Sequence, residues 1–170
     1  MLKQQKNQCI MSIKFPIQAQ SLSMKSIFQY MMEEGYNPDF QHSHIQFNLD
    51  GNIAVVDAED GFVSLRIFFS IEKEDYELFL EASNQTMLKT YAIKPAVMDD
   101  MDDIVFSNEF FCDNLRDLKR FFPRAIETMK EALDTHKNEM RKLVMTKSAL
   151  AKSIPATEEP VTGIVKKIFS

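Results

Sequence analysis

The side chains able to do acid–base or metal chemistry crowd into one stretch of the chain: His42, His44, Asp57, Glu59, Ser64 and Arg66. If the pairs Asp50-Gly51 and Asp60-Gly61 each close a two-residue hairpin turn, three strands meander through this stretch. His44 then lies directly opposite Asp57, with Arg66 diagonal to it. An imidazole beside a carboxylate is the orienting half of a catalytic relay. The hydroxyl to be activated would be that of Ser64, also opposite Asp57, yet nothing brings it within reach of the imidazole or builds an oxyanion hole. The leading expectation is an ordinary cross-strand polar cluster. The alternative is a small-molecule sensor or hydrolase with a cleft between the last helix and the sheet, near His44, Asp57 and Arg66.

Metal chemistry has two candidate positions. His42 and His44 share one face of an expected edge strand, and with Glu59 near His42 they could supply three ligands. The run Asp99-Asp100-Met101-Asp102-Asp103 offers carboxylates for calcium, but it lacks the glycine and the closing bidentate glutamate of an EF-hand loop. The histidines read as surface residues and the run as a solvated acidic turn. Cys9 and Cys112 stand far apart, without the spacing of a zinc site or a disulfide framework, and Cys112 reads as a small buried thiol. Gly-rich phosphate loops, nucleophile elbows and zincin motifs are missing. No catalytic, cofactor-binding or metal-binding residue is therefore assigned, and the chain is expected not to be an enzyme.

Charge narrows the partners. The 20 Lys and Arg against 25 Asp and Glu leave a net charge of -5, which opposes a phosphate backbone, so nucleic acid is not expected as a partner. No stretch approaches the roughly 18 apolar residues of a spanning helix, and residues 1–20 lack the apolar core of a signal peptide. Neither a membrane nor an exported location is expected, and the cytoplasm is the predicted compartment. The 170 residues suit one domain with ragged ends: a leader over 1–23, an α+β domain over 24–147 and a C-terminal tail over 148–170.

The elements that must position these residues follow from periodicity. Ile27, Phe28, Met31 and Met32 make a helical stripe that Gly35 should terminate. With both Asp-Gly turns closed, Ile45, Phe47, Leu49, Ala54, Val56, Ala58, Val63, Leu65, Ile67 and Phe69 share one sheet face. A second helix is predicted over 73–91 with Tyr76, Phe79, Leu80, Ser83, Met87 and Tyr91 inward. Two more strands follow, over 92–98 and 104–112, and Pro95 places the first of them at a sheet edge. Asn114 with Asp117 should cap a last helical region with the stripe Leu118, Phe122, Ile126, Met129, Leu133, His136, Met140 and Leu143. Pro123 predicts a break, with a short turn up to Phe121 and a long helix beyond. The fold class is thus α+β, an antiparallel five-stranded sheet packed by helices in the order α-βββ-α-ββ-α.

The second face of the meander carries Ile53, Val55, Phe62 and Phe68 among polar residues, too apolar for plain solvent exposure. Cover by another helix or by the C-terminal tail is the first expectation. Left uncovered, these four residues are the candidate surface for a protein partner.

This order of elements, with the segments FQYMMEEGYNPD (28–39), LEASNQTMLKTY (80–91) and FPRAIETMKEAL (122–133), resembles the YbjN-like domain family, whose fold is similar to that of type III secretion chaperones. The likeness runs from Met24 to Leu143. Residues before Met24 and after Lys152, and Pro95 within a strand, depart from it. The resemblance implies non-enzymatic protein binding, often as a homodimer, and regulatory roles for some members. The expected function is a chaperone-like or regulatory adaptor without cofactors. It would bind an extended polypeptide at a sheet edge or in helix grooves, and self-associate through apolar helix and sheet surface.

Overall fold

The computed structural model describes residues 22–98 and 103–153. Its elements are α1 (Met24–Glu33), β1 (Asp39–Gln41), β2 (His44–Leu49), β3 (Asn52–Glu59), β4 (Phe62–Ser70), a 3₁₀ turn (Lys73–Asp75), α2 (Tyr76–Lys89), β5 (Lys94–Val97), β6 (Asp103–Phe111) and α3 (Leu115–Ser153). The antiparallel sheet has the order β1-β2-β3-β4-β6-β5.

Register is set at the two Asp-Gly turns. Asp50 and Gly51 have φ of 51° and 89°, and Asp60 and Gly61 have 48° and 81°. Positive φ at both central residues is the hairpin geometry whose twist matches that of the strands it joins. The ladders follow as the sequence predicts, with Phe47 opposite Ala54, Ile45 opposite Val56, Val56 opposite Leu65 and Ala54 opposite Ile67. Eight of the ten predicted inward residues are buried, and Ala58 and Phe69 pack half-buried against the same core.

Six strands replace the expected five. The additional one, β1, pairs with β2 through Asp39–Gln46, Phe40–Ile45 and Gln41–His44. Its turn gives no Asp-Gly signal, because the left-handed position is held by His42 at φ 42°, a conformation histidine adopts more readily than most residues. Phe40 meets Phe28 of α1 edge-on at 5.9 Å between ring centroids. Two expectations change as a result: β2 is not an edge strand, and His42 sits in a turn rather than on the sheet face with His44.

The helices cover one face only. Ser23 caps α1 by accepting from the Ser26 N–H at 3.2 Å. The helix ends at Gly35, φ 82°, where the Tyr36 N–H donates to the Met31 carbonyl at 3.0 Å and the Gly35 N–H to Met32 at 3.2 Å. Asn114 Oδ1 accepts from the Asp117 N–H at 3.0 Å to start α3.

The break predicted at Pro123 does not occur, and α3 runs unbroken to Ser153 with the proline inside. An interior proline costs about 3 kcal/mol. The burial of Leu118, Phe122 and Ile126 on both sides of it, each worth roughly 1.5–3 kcal/mol, exceeds that cost and holds the register. No helix among the described residues is long and apolar enough to cross a membrane.

The inward side of α2 agrees with the expected one only in part: Ser83 is buried, and Tyr76 and Phe79 pack half-buried against the core. Leu78, Ala82, Ser83 and Thr86 are buried, whereas Leu80, Met87 and Tyr91 are exposed. Small side chains at 82, 83 and 86 give α2 a shallow surface on which α3 can lie, and Met140 of α3 packs onto Leu78 and Ala82. Lys89 ties the two helices together, its Nζ 2.8 Å from Glu139.

Between these helices His136 is buried, its ring 5.7 Å from that of Phe79 and edge-on to Phe106 at 5.1 Å. Its Nε2 lies 3.5 Å from Ser83 Oγ. Burial lowers its pKa from 6.5 to about 4, against a weaker opposing effect of a backbone hydrogen bond at Phe79. The folded ring therefore stays neutral where the unfolded one takes a proton. Its stabilising effect is complete above pH 6.5 and is lost as pH falls toward 4, a total of about 3 kcal/mol. Denaturant titrations should show about 2 kcal/mol less stability at pH 5 than at pH 7 from this residue. His136→Phe should flatten that part of the pH profile, and an unchanged slope in the variant would contradict the assignment.

Candidate functional site

With α1, α2 and α3 all packed on the face that holds Ile45, Val56, Leu65 and Ile67, the alternate residues of each strand are left on a face that no described helix covers. The cover expected from another helix is therefore not found among the described residues, and the C-terminal tail from residue 154 onward lies outside them.

Three bands cross this face. The first is apolar: Phe68 stands opposite Val105, and Val105 opposite Ala96, with Ile53 continuing the row on β3 and Val55 beside it. The last band, at the other end of the strands, is aromatic. There Phe62 pairs with Phe111 at 4.1 Å between ring centroids. Ile53 is 64% exposed, Phe62 45%, Phe68 44% and Phe111 70%. Side chains of this size are normally found exposed singly, and a contiguous group marks a contact surface.

Between them runs a polar band. Ser64 lies opposite Asp57 and Glu109, and Arg66 opposite Val55 and Ser107. Arg66 Nη2 donates to Asp57 Oδ2, and Lys94 Nζ sits 3.2 Å from Glu109 Oε2. Each cation is thus spent on a carboxylate of the same face. Ser64 Oγ and Arg66 Nε are covered by neighbouring side chains and have no hydrogen-bond partner. An acceptor arriving from outside reaches Arg66 Nε only if that side chain swings outward.

The polar residues singled out in the sequence are brought onto one face but do not form a relay. His44 Nε2 accepts from the Gln46 amide at 2.9 Å, while Asp57 is engaged by Arg66. All three lie on the side away from α3, so a cleft between the last helix and the sheet cannot include them. Surface hollows among the described residues lie elsewhere. One of about 430 Å³ is lined by residues that include Leu22, Glu59, Asp60, Phe62, Cys112 and Asp113. A smaller one of about 40 Å³ lies near Leu49 and Lys130. Among the described residues no three His, Cys, Asp or Glu side chains are grouped to hold a metal. Cys9 and Asp99 to Asp102 lie outside the described residues. Burial pushes the Cys112 thiol up to about 11, so it is protonated at neutral pH.

Sequence reasoning found Ile53, Val55, Phe62 and Phe68 but missed Val105, Ala96 and Phe111. The signal was present in the alternation of β6, where Ile104 and Phe106 point inward and Val105 and Phe111 therefore outward. It went unread because the pairing of β4 with β6 is not local.

The same arrangement of sheet and helices is found in YbjN from E. coli, with a TM-score of 0.54 over 65% of this chain and 88% of that one, at 13% identity. The fold is YbjN-like. An uncharacterised protein from Methanothermobacter thermautotrophicus shares it, with a TM-score of 0.52, 14% identity, and 71% of this chain and 98% of that one covered. No family model matches the chain, and no curated protein matches it. At such identities the YbjN-like architecture is what is common, and function does not follow from it.

The two faces of the sheet should respond oppositely to substitution. In dilute protein Ile53→Asp should change unfolding free energy by no more than about 1 kcal/mol, the span of strand propensities, because most of its side chain is already in water. Ile67→Ala, one strand away on the buried face, should cost roughly 2–5 kcal/mol. Urea titration of both variants distinguishes the faces, and a large loss for Ile53→Asp would mean that the outer face is a second core.

Proposed function

We propose that this chain is a non-enzymatic protein-interaction module, a chaperone-like or regulatory adaptor of the cytoplasm, that receives a polypeptide on its helix-free sheet face. One observation carries the reading: aliphatic and aromatic side chains lie exposed in contiguous bands on that face. Removing them from water is worth about 25 cal/mol per Å² of apolar surface, the main driving force of protein association.

Four features support it. YbjN, which shares the fold, is named as a candidate transcription regulator. A net charge of -5 favours regulation through a protein over direct contact with DNA. Asp57 and Arg66 are taken up in a cross-strand ion pair, and His44 is bonded to Gln46 of its own strand. Similarity of YbjN-like domains to type III secretion chaperones points the same way, toward capture of a polypeptide. The sheet edges are poorer sites than the face. β1 has three residues, and Pro95 in β5 offers no N–H to an added strand.

The test compares full-length wild type with Phe68→Glu and Ile53→Glu as bait for native cytosol, with retained polypeptides identified by mass spectrometry. A polypeptide held by wild type and reduced at least about tenfold by either variant, as loss of a central contact worth ~1.4 kcal/mol or more implies, supports the reading. Identical retention by all three proteins overturns it.

A further inference from the structure

We infer that residues 11–19 of this chain lie extended across its own helix-free face and occupy it until a polypeptide partner displaces them. The inference rests on reading that face as a contact surface and adds how access to it is regulated.

Where the described chain begins is the first argument. Leu22 packs against the core and lines the hollow of about 430 Å³ at the Gly61 end of the strands. Of the other residues around that hollow, Ala58 and Cys112 belong to the helix side of the sheet, whereas Glu59 and Phe62, paired across the turn, belong to the bare side. The hollow thus leads round the strand ends from one side to the other. A chain entering Leu22 comes past the rim of the bare face, beside Phe62 and Phe111.

Pattern and reach are the second argument. Met11, Ile13, Phe15, Ile17 and Ala19 alternate without a break with Ser12, Lys14, Pro16 and Gln18, the period-two signature of an extended segment with one apolar side. Pro16 steers Phe15 away from the helical region. Lacking an N–H, it suits a segment laid over a sheet better than one added to its edge. Fully extended, Phe15 reaches about 23 Å from Leu22, and Phe68 stands about 20 Å along β4 from Phe62. Ala19 then passes the Phe62–Phe111 pair, and Phe15 arrives at the apolar band of Ile53, Phe68 and Val105. A path oblique to β4 keeps Ile13 and Met11 over the face as well, because the sheet is six strands wide.

Charge is the third. Residues 1–21 carry Lys3, Lys6 and Lys14 and no Asp or Glu, so the negative excess of the chain lies wholly in the rest of it. The segment starts out beside Glu59, Asp60 and Asp113. In the middle of the face Arg66 is matched by Asp57 and Lys94 by Glu109, which leaves no net charge to oppose it. Long-range attraction therefore favours this segment. Residues 154–170, with two acidic and two basic side chains, lack that attraction. A tethered segment also acts at an effective concentration on the order of millimolar, so a modest contact suffices and a partner can still displace it.

The test uses the full chain with the photo-cross-linker p-benzoylphenylalanine in place of Phe15. Irradiation should give a product of single-chain mass in which the probe is joined to Ile53, Phe68 or Val105. A second measurement reads the occupied fraction through Val105→Cys, with Cys9→Ser removing the thiol that precedes the segment and Cys112 buried. Adding Ile13→Asp and Phe15→Asp should speed its reaction with a maleimide about fourfold, as a docked form outnumbering the free one by about three to one implies. The inference is overturned by an unchanged maleimide rate, by the absence of any link to the face, or by links confined to another chain, to residues 154–170 or to the helices. If it falls while Phe68→Glu still loses the captured polypeptide, the adaptor reading stands without it. If the links and the rate are as expected and Phe68→Glu leaves capture unchanged, the placement of residues 11–19 stands and the adaptor reading falls.

Discussion

Strand side chains alternate with a period of two, so the assignment of every residue to core or surface hangs on the register at Asp50-Gly51 and Asp60-Gly61. A slip of one position at either turn would drive Arg66 or Asp57 under the helices and lift Ile67 or Val56 into water. Burying an ion pair costs several kcal/mol even when its partners are well placed, and each misplaced aliphatic residue forfeits a further 1.5–3 kcal/mol or so. Alternative pairings are therefore separated from the native one by more than the whole stability of an average domain, ~5–15 kcal/mol. The positive φ of the two aspartates and two glycines is a local device with this non-local effect.

Once the register is set, the helices resolve how the inner face is closed. α1 and α3 supply large side chains, with Tyr30, Tyr36 and Phe47 grouped around Phe122 in edge-on or tilted contacts. α2 works differently. Its buried side is mostly small, Leu80, Met87 and Leu88 are outside, and its hold on α3 comes from Leu78 and Ala82 against Met140 together with the Lys89–Glu139 pair. The contrast explains why His136, at this second contact, is the buried group most exposed to the consequences of acid, whereas the core beneath α1 contains tyrosines, one of them with its pKa pushed up to about 12.

The parts legible in the sequence were those fixed by short-range chemistry. Gly35 as a helix terminator, Asn114 as a cap and the two Asp-Gly hairpins each act over a few residues, and all are found as read. The strand β1 was not legible, because histidine at a left-handed turn position is uncommon and carries no pattern. On α2 the sequence places Tyr76, Phe79 and Ser83 inward correctly, but Leu80, Met87 and Tyr91 face out, because close approach to α3 favours the small Ala82 and Thr86 at the contact. The break at Pro123 was overestimated because a local cost was weighed without the tertiary burial that offsets it. Four residues of the outer face were visible from alternation alone, but the partners of Phe62 and Phe68 on β6 depend on which strand returns beside β4, and α2 and β5 intervene in the chain.

Pro95 has an effect beyond its own strand. It lies in the four-residue strand at one rim of the sheet, and the opposite rim has only three residues. Neither rim presents a long run of free main-chain groups on which copies could be added one after another. A molecule with a greasy plane that no described helix covers is thereby spared open-ended ribbon growth, the usual hazard of such a plane. The blunted rims are what allow that plane to remain bare.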